Sequence, residues 1–253
     1  MSVKSWGKGP ETALMLHCTL AQGGAWAGMA RHLLARLTMV APDLLSHGTA
    51  PNADRSRDYH LQATQAAAAH LPQTPCHLIG HSFGATLALC IALDHPDAIK
   101  TLTLIEPVLF CAANGPGRAA HDAHVARLPG GYSGAAPEVI AKHFLALWGA
   151  EPFETLPQAH RDYMAARVWI PAATEPALIH DNANILPRLP ELIAPTLLIE
   201  GAATHPVIGE INASLATDIP YARRHVIAEA AHMAPITHPR VTATAIATFL
   251  DTL

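Results

Sequence analysis

Residues 76–84 read Cys76-His77-Leu78-Ile79-Gly80-His81-Ser82-Phe83-Gly84. An apolar run meets a G-x-S-x-G turn, and Phe83–His95 then carries apolar side chains at helical spacing as far as Pro96, which cannot continue a helix. The spacing has a mechanical reason. A serine between strand and helix is pushed out at the carboxyl end of the strand in a strained backbone conformation. Glycines on either side let the strand and helix backbones pass close to the turn. The helix start adds unpaired N–H groups and the positive end of a dipole beside the hydroxyl.

Outward from this turn, short apolar runs alternate with helical patterns. Strands are expected at Ala13–His17, Met39–Ala41, Cys76–Gly80, Thr101–Glu106, Thr196–Glu200 and Ala222–Ala228. Helices are expected at Ala25–Leu37, Tyr59–Leu71, Phe83–His95, Val207–Thr217 and Pro239–Leu253. The alternation implies βαβ units, hence an α/β fold with a mainly parallel sheet flanked by helices. Runs such as CHLIG and TLTLI are apolar without alternation, as expected of strands covered on both faces. Residues 108–194 break the rhythm: seven prolines punctuate them from Pro116 to Pro176, and apolar residues recur at helical spacing in Val139–Trp148 and Tyr163–Trp169. The expected organisation is a core of residues 1–107 and 195–253 with a helical cap of residues 108–194 inserted between two strands.

Composition narrows the class of function. Half of the 253 residues are apolar and 14% are charged, which excludes a disordered chain. The net charge of −4 and the lack of a basic run argue against a nucleic-acid partner. No apolar stretch reaches the length of a membrane helix, and the first residues have no signal-peptide pattern, so a cytoplasmic protein without a membrane partner is expected. Cys18, Cys76, Cys90 and Cys111 lie far apart and are read as reduced thiols. A small-molecule substrate is the expected partner, with a homo-oligomer left open.

The chain resembles the α/β-hydrolase-fold family along almost its whole length, through LMLHCTLAQGGAW, APDLLSHG, LIGHSFG and AEAAHMAPITHP in that order. The likeness is to small bacterial serine hydrolases: esterases, C–C bond hydrolases and cofactor-free haloperoxidase-like enzymes. It implies Ser82 as nucleophile and His232, in the loop after the last strand, as general base. His81 is expected to orient loops, and His238 to begin the final helix. The oxyanion hole is expected to use the N–H of Phe83 and that of Thr19; Cys18 stands where the family commonly has Gly. No cofactor is implied. His121, His124, His143, His160 and His180 lack a carboxylate cluster at ligand spacing, so no metal is expected.

The acid departs from the family pattern. Where relatives carry G-x-x-D, this chain has Gly201-Ala202-Ala203-Thr204, and Thr204 cannot hold a charge. Glu106 ends the strand after the nucleophile strand, Pro107 favours extended backbone there, and the extra methylene of Glu lengthens its reach. Glu106 is therefore the expected acid, with no functional carboxylate, or Glu200, as the alternatives. The expected activity is hydrolysis of a carboxylic ester or thioester through Ser82, His232 and Glu106. C–C cleavage of a diketone-type substrate, or a non-enzymatic binding protein on the same fold, are the alternatives.

Overall fold

The computed structural model describes residues 2–128 and 130–253. Seven strands form one sheet: β1 (Val3–Trp6), β2 (Glu11–Leu16), β3 (Leu37–Pro42), β4 (Cys76–His81), β5 (Ile99–Ile105), β6 (Thr196–Gly201) and β7 (Ala222–Ile227). Their order is β1-β3-β2-β4-β5-β6-β7; β1 is antiparallel to β3 and every other pairing is parallel. In chain order the helices are α1 (Ala27–Ala30), α2 (Tyr59–Ala68) and α3 (Phe83–Asp94), then α4 (Pro116–Val125), α5 (Gly131–Gly134), α6 (Pro137–Trp148), α7 (Gln158–Ala165) and α8 (Trp169–Leu178) between β5 and β6, and finally α9 (Pro206–Asp218), α10 (Ala234–Thr237) and α11 (Pro239–Leu250).

The period of two along each strand divides the core. Leu78, Leu102, Leu104 and Leu198 face one way and pack with residues of α2, α3 and α9, such as Ala63, Leu87 and Ile211. Ile79, Ile105, Leu197 and Ile199 face the other way and pack with Met29, Ala243 and Ile246 of α1 and α11. β4 is accordingly buried at all six positions, which explains its continuous apolar reading. Because β2 and β4 to β7 run in parallel, the loops after them gather at one edge of the sheet, where an open α/β sheet places its site.

Two expectations need correction. Ala25–Leu37 is not one helix: a 3₁₀ turn (Gly23–Trp26) and α1 are followed by turns through residue 36, and Leu37 already belongs to β3. The Leu34 carbonyl takes the N–H of Lys8, 3.1 Å away, so the incoming strand's backbone replaces further helical bonding. The same neighbourhood yields β1, which the sequence pattern did not indicate; it is a short, mostly exposed edge strand pairing Val3–Trp6 with Met39–Pro42.

Between β5 and β6 there is no strand among the described residues. Tyr163–Trp169 straddles two helices rather than forming one, because i→i−3 bonds from Arg167 to Met164 and from Ile170 to Arg167 tighten the chain between α7 and α8. Leu128, Ile140, Leu145, Phe153 and Val168 form a small core of this segment around Leu20 from the loop after β2. Two polar ties fasten it to the sheet. Glu210 of α9 accepts the N–H groups of Gly115, Gly117 and Arg118 (3.1, 2.6 and 3.0 Å), satisfying the start of α4 from a neighbouring helix. The Tyr163 hydroxyl accepts from the Gly48 N–H and donates to the Ala21 carbonyl, both at 2.9 Å, while Arg167 Nε donates to the Ser46 carbonyl at 3.0 Å.

Candidate active site

Ser82 sits between β4 and α3 with φ 56° and ψ −119°, a region non-glycine residues seldom occupy. Its N–H donates to the Ile105 carbonyl at 2.8 Å, and its carbonyl accepts from Ala85 at 3.0 Å. The flanking glycines are obligatory. A Cβ on Gly80 would lie 2.4 Å from the Gly84 carbonyl oxygen, and one on Gly84 would lie 2.2 Å from that of Leu16.

His232 lies in the loop after β7. Its Nδ1 is 3.1 Å from Glu106 Oε2, and its Nε2 is 2.9 Å from Ser82 Oγ. An ionised carboxylate only accepts, so Nδ1 carries the proton and Nε2 is free to accept the Ser82 hydroxyl proton. All three side chains are buried, Glu106 completely. An isolated carboxylate would be very costly there, and this one is answered three times. Gly201 N–H donates to Oε1 at 2.6 Å, Thr204 Oγ donates to Oε2 at 2.6 Å, and His232 adds the third donor.

Glu106 is not extended as expected ahead of Pro107: it stands one residue beyond β5 with φ 52°, its N–H held by the Ile199 carbonyl at 2.8 Å. The turn aims the side chain along the sheet edge towards the β7 loop. Thr204, which cannot itself hold a charge, turns its hydroxyl to the Glu106 carboxylate. Glu200 is engaged elsewhere: it accepts from Asn212 Nδ2 at 2.8 Å and from Arg224 at 2.7 Å.

Thr19 lies in the loop after β2. Among the described residues no carbonyl or side chain accepts the backbone N–H of Thr19 or of Phe83. Two histidines stiffen this loop. His17 Nδ1 donates to the Cys18 carbonyl (2.8 Å) while Nε2 accepts from Leu44 N–H (2.9 Å). His47 Nδ1 donates to the Leu45 carbonyl (3.0 Å) while Nε2 accepts from Leu20 N–H (3.1 Å). Each ring must be neutral to play both parts, and burial depresses their pKa values to about 4 and about 3. The Cys18 thiol is pushed up to about 12 by burial, which keeps it protonated and unreactive. His81 donates from Nε2 to the His232 carbonyl at 2.8 Å. Burial, followed by the neighbouring His232, drives its pKa down to about 3, so it anchors the loop as a neutral ring. His238 directly precedes Pro239 at the start of α11.

Three histidines of the helical segment are used in packing, while His160 and His180 are exposed. His121 stacks on Phe110 at 4.1 Å and is held neutral by burial, with its pKa lowered to about 4. His124 and His143 stack on one another, also at 4.1 Å, and His143 Nε2 donates to the His124 carbonyl. Among the described residues no three His, Cys, Asp or Glu side chains gather as a cation site, and no helix is long and apolar enough to cross a membrane.

Two cavities meet at Ser82, sharing Thr19, Phe144 and Trp148 as walls. The inner one, about 50 Å³, is bounded by residues such as Val108, Phe110, Tyr132, Glu175 and Ile179. The outer one, about 470 Å³, is bounded by His232, Met233 and Ile236 on the sheet side and Leu156 and Met164 on the helical side. Tyr163, Arg167 and the Gly201 N–H support this site without any sequence signal: their parts depend on which loops the fold brings beside them.

The sheet order, the serine turn and the histidine after the last strand define an α/β hydrolase, and a family model described as the alpha/beta hydrolase fold matches residues 13–239. The chain belongs to that family and is one of its enzymes. It is 29% identical over 257 residues to the pimeloyl-[acyl-carrier protein] methyl ester esterase of Methylococcus capsulatus, covering 98% of this chain and 97% of that one. A lipase of Mycobacterium tuberculosis, LipV, is 33% identical over 102 residues, which is 40% of this chain and 39% of the lipase. Among solved structures, the enol-lactonase of Burkholderia xenovorans superposes with a TM-score of 0.73 at 21% identity, covering 99% of this chain and 96% of that one. A hydrolase of Pseudomonas aeruginosa gives 0.74 at 19% identity, covering 98% and 93%. At such identities the structural likeness concerns the fold.

Proposed function

We propose that this chain is a serine hydrolase that cleaves carboxylic esters or thioesters of small molecules through a Ser82–His232–Glu106 triad, with residues 108–194 as a helical cap over the site. The observation that carries it is the unbroken hydrogen-bonded line from Ser82 Oγ through both nitrogens of His232 to a fully buried carboxylate. Ser82 Oγ attacks the carbonyl carbon while its proton passes to His232 Nε2. The carbonyl oxygen takes the negative charge beside the unengaged N–H groups of Thr19 and Phe83. Collapse breaks the bond to the leaving oxygen or sulfur, which takes the proton from Nε2, and the acyl group stays on Ser82. Water then gives a proton to Nε2, attacks the acyl carbon, and releases the acid as Ser82 recovers its proton. Glu106 keeps Nδ1 protonated throughout and stabilises the imidazolium that forms twice per turnover.

A fluorophosphonate probe tests the proposal. Wild-type protein should be labelled at Ser82, as read by peptide mass, while Ser82→Ala should not. Labelling elsewhere, or none in folded wild-type protein, would refute it.

A further inference from the structure

The two cavities are unequal, and His232 borders only the larger one. That asymmetry has a stereochemical meaning. The departing oxygen must lie within reach of His232 Nε2, because it takes its proton there; it therefore leaves on the outer side. With the carbonyl oxygen turned to the N–H groups of Thr19 and Phe83, the acyl substituent has the inner cavity left to enter. The inner cavity is the smaller of the two, so it fits the shorter group. Its wall is mostly apolar beyond Thr19 and Ser82: the Thr174 hydroxyl donates to the Pro171 carbonyl and His121 lies against Asp122, whereas the Tyr132 hydroxyl is buried with no partner among the described residues and Glu175 also borders this space. Burial raises the Glu175 pKa from its ordinary value, against the opposing pull of His180.

Resting on the ester-hydrolase proposal above, we infer that the substrate is a short acyl group, hydroxylated at its far end, joined to a larger alcohol or thiol. The acyl group occupies the inner cavity with its hydroxyl against Tyr132 and Glu175, and the bulky leaving group fills the outer cavity. Tyr132 and Glu175 are then specificity residues of the acyl side. The proportions are the reverse of a methyl ester of a long acid.

Isomeric esters provide the test. Hexyl acetate and methyl heptanoate contain the same atoms divided oppositely about the ester bond. Methylenes that do or do not fit an apolar pocket discriminate by about tenfold or more, so hexyl acetate should lead in kcat/KM by at least about tenfold. Hexyl 3-hydroxypropanoate should in turn exceed hexyl propanoate, and Tyr132→Phe and Glu175→Gln should each bring that ratio towards one. Ile179→Ala, which widens the inner cavity, should raise methyl heptanoate relative to hexyl acetate. Preference of the wild type for methyl heptanoate overturns the division of the ester. A hydroxyl ratio unmoved by both substitutions overturns the assignment of Tyr132 and Glu175. Failure to hydrolyse any of the four esters overturns the ester-hydrolase proposal itself, and this inference with it.

Discussion

The ends of β5 and β6 are neighbours in the sheet, paired in parallel from Leu102↔Thr196 to Ile105↔Ile199, and both open onto the crevice that holds Ser82. One ends in Glu106, the other in a loop carrying Thr204, at the position where the family commonly keeps its acid. The carboxylate has moved by one strand and the hydroxyl has taken a supporting part, donating to Glu106 at 2.6 Å. Adjacent strands lie about 4.8 Å apart, a gap that one extra methylene and a left-handed turn at Glu106 help to close. In the proposed mechanism His232 requires an acceptor at Nδ1, and here the end of β5 presents it. The chemistry fixes the place of the charge and leaves the supporting strand free.

The largest effect on this comparison should come from the residue both strand ends serve. Ser82→Ala should lower kcat for an activated ester by about 10⁶-fold, with a near-native melting temperature; retained turnover would make the difference between the strand ends irrelevant. Glu106→Gln keeps the shape and removes the charge, and should cost about 10⁴-fold in kcat. A loss below tenfold would show that the charge at the end of β5 has no part in turnover. In that background Thr204→Asp should recover activity, because it returns a carboxylate to the end of β6; no recovery would show that the two positions are not interchangeable. Thr204→Ala alone removes one charge-assisted hydrogen bond and should slow kcat by about tenfold, with KM little changed. Tyr163→Phe is the mildest change, about threefold in kcat, since it loosens the Ala21 and Gly48 ties by the worth of ordinary hydrogen bonds.

Much of this was legible in the chain. The apolar run into G-x-S-x-G placed β4, the turn and α3, and the position of His232 after the last strand put its ring within reach of Ser82. The nearness of Glu106 to His232 was legible from the missing carboxylate after Gly201 and the reach of Glu at the next strand end; the positive φ at Glu106 was not. The part played by Thr204 was not legible, because a hydroxyl bonds equally well to a carboxylate or an imidazole and only the folded loop decides. Helix α1 was overestimated for a similar reason: residues 31–36 have helical spacing, but Lys8 claims the Leu34 carbonyl. The ties made by Glu210 and Tyr163 span about a hundred residues or more, far beyond any local pattern.

Ser82 and Glu106 precede the helical segment, whereas His232 follows it, 150 and 126 residues away in sequence. On the ribosome β4 with Ser82 and β5 with Glu106 emerge together, and the cavity walls of the helical segment come next. The base arrives only when the chain is nearly finished. A growing polypeptide can thus assemble most of its sheet and its pocket while the serine remains an ordinary alcohol. On the proposed mechanism the docking of that one loop completes the line from Ser82 through His232 to Glu106 last.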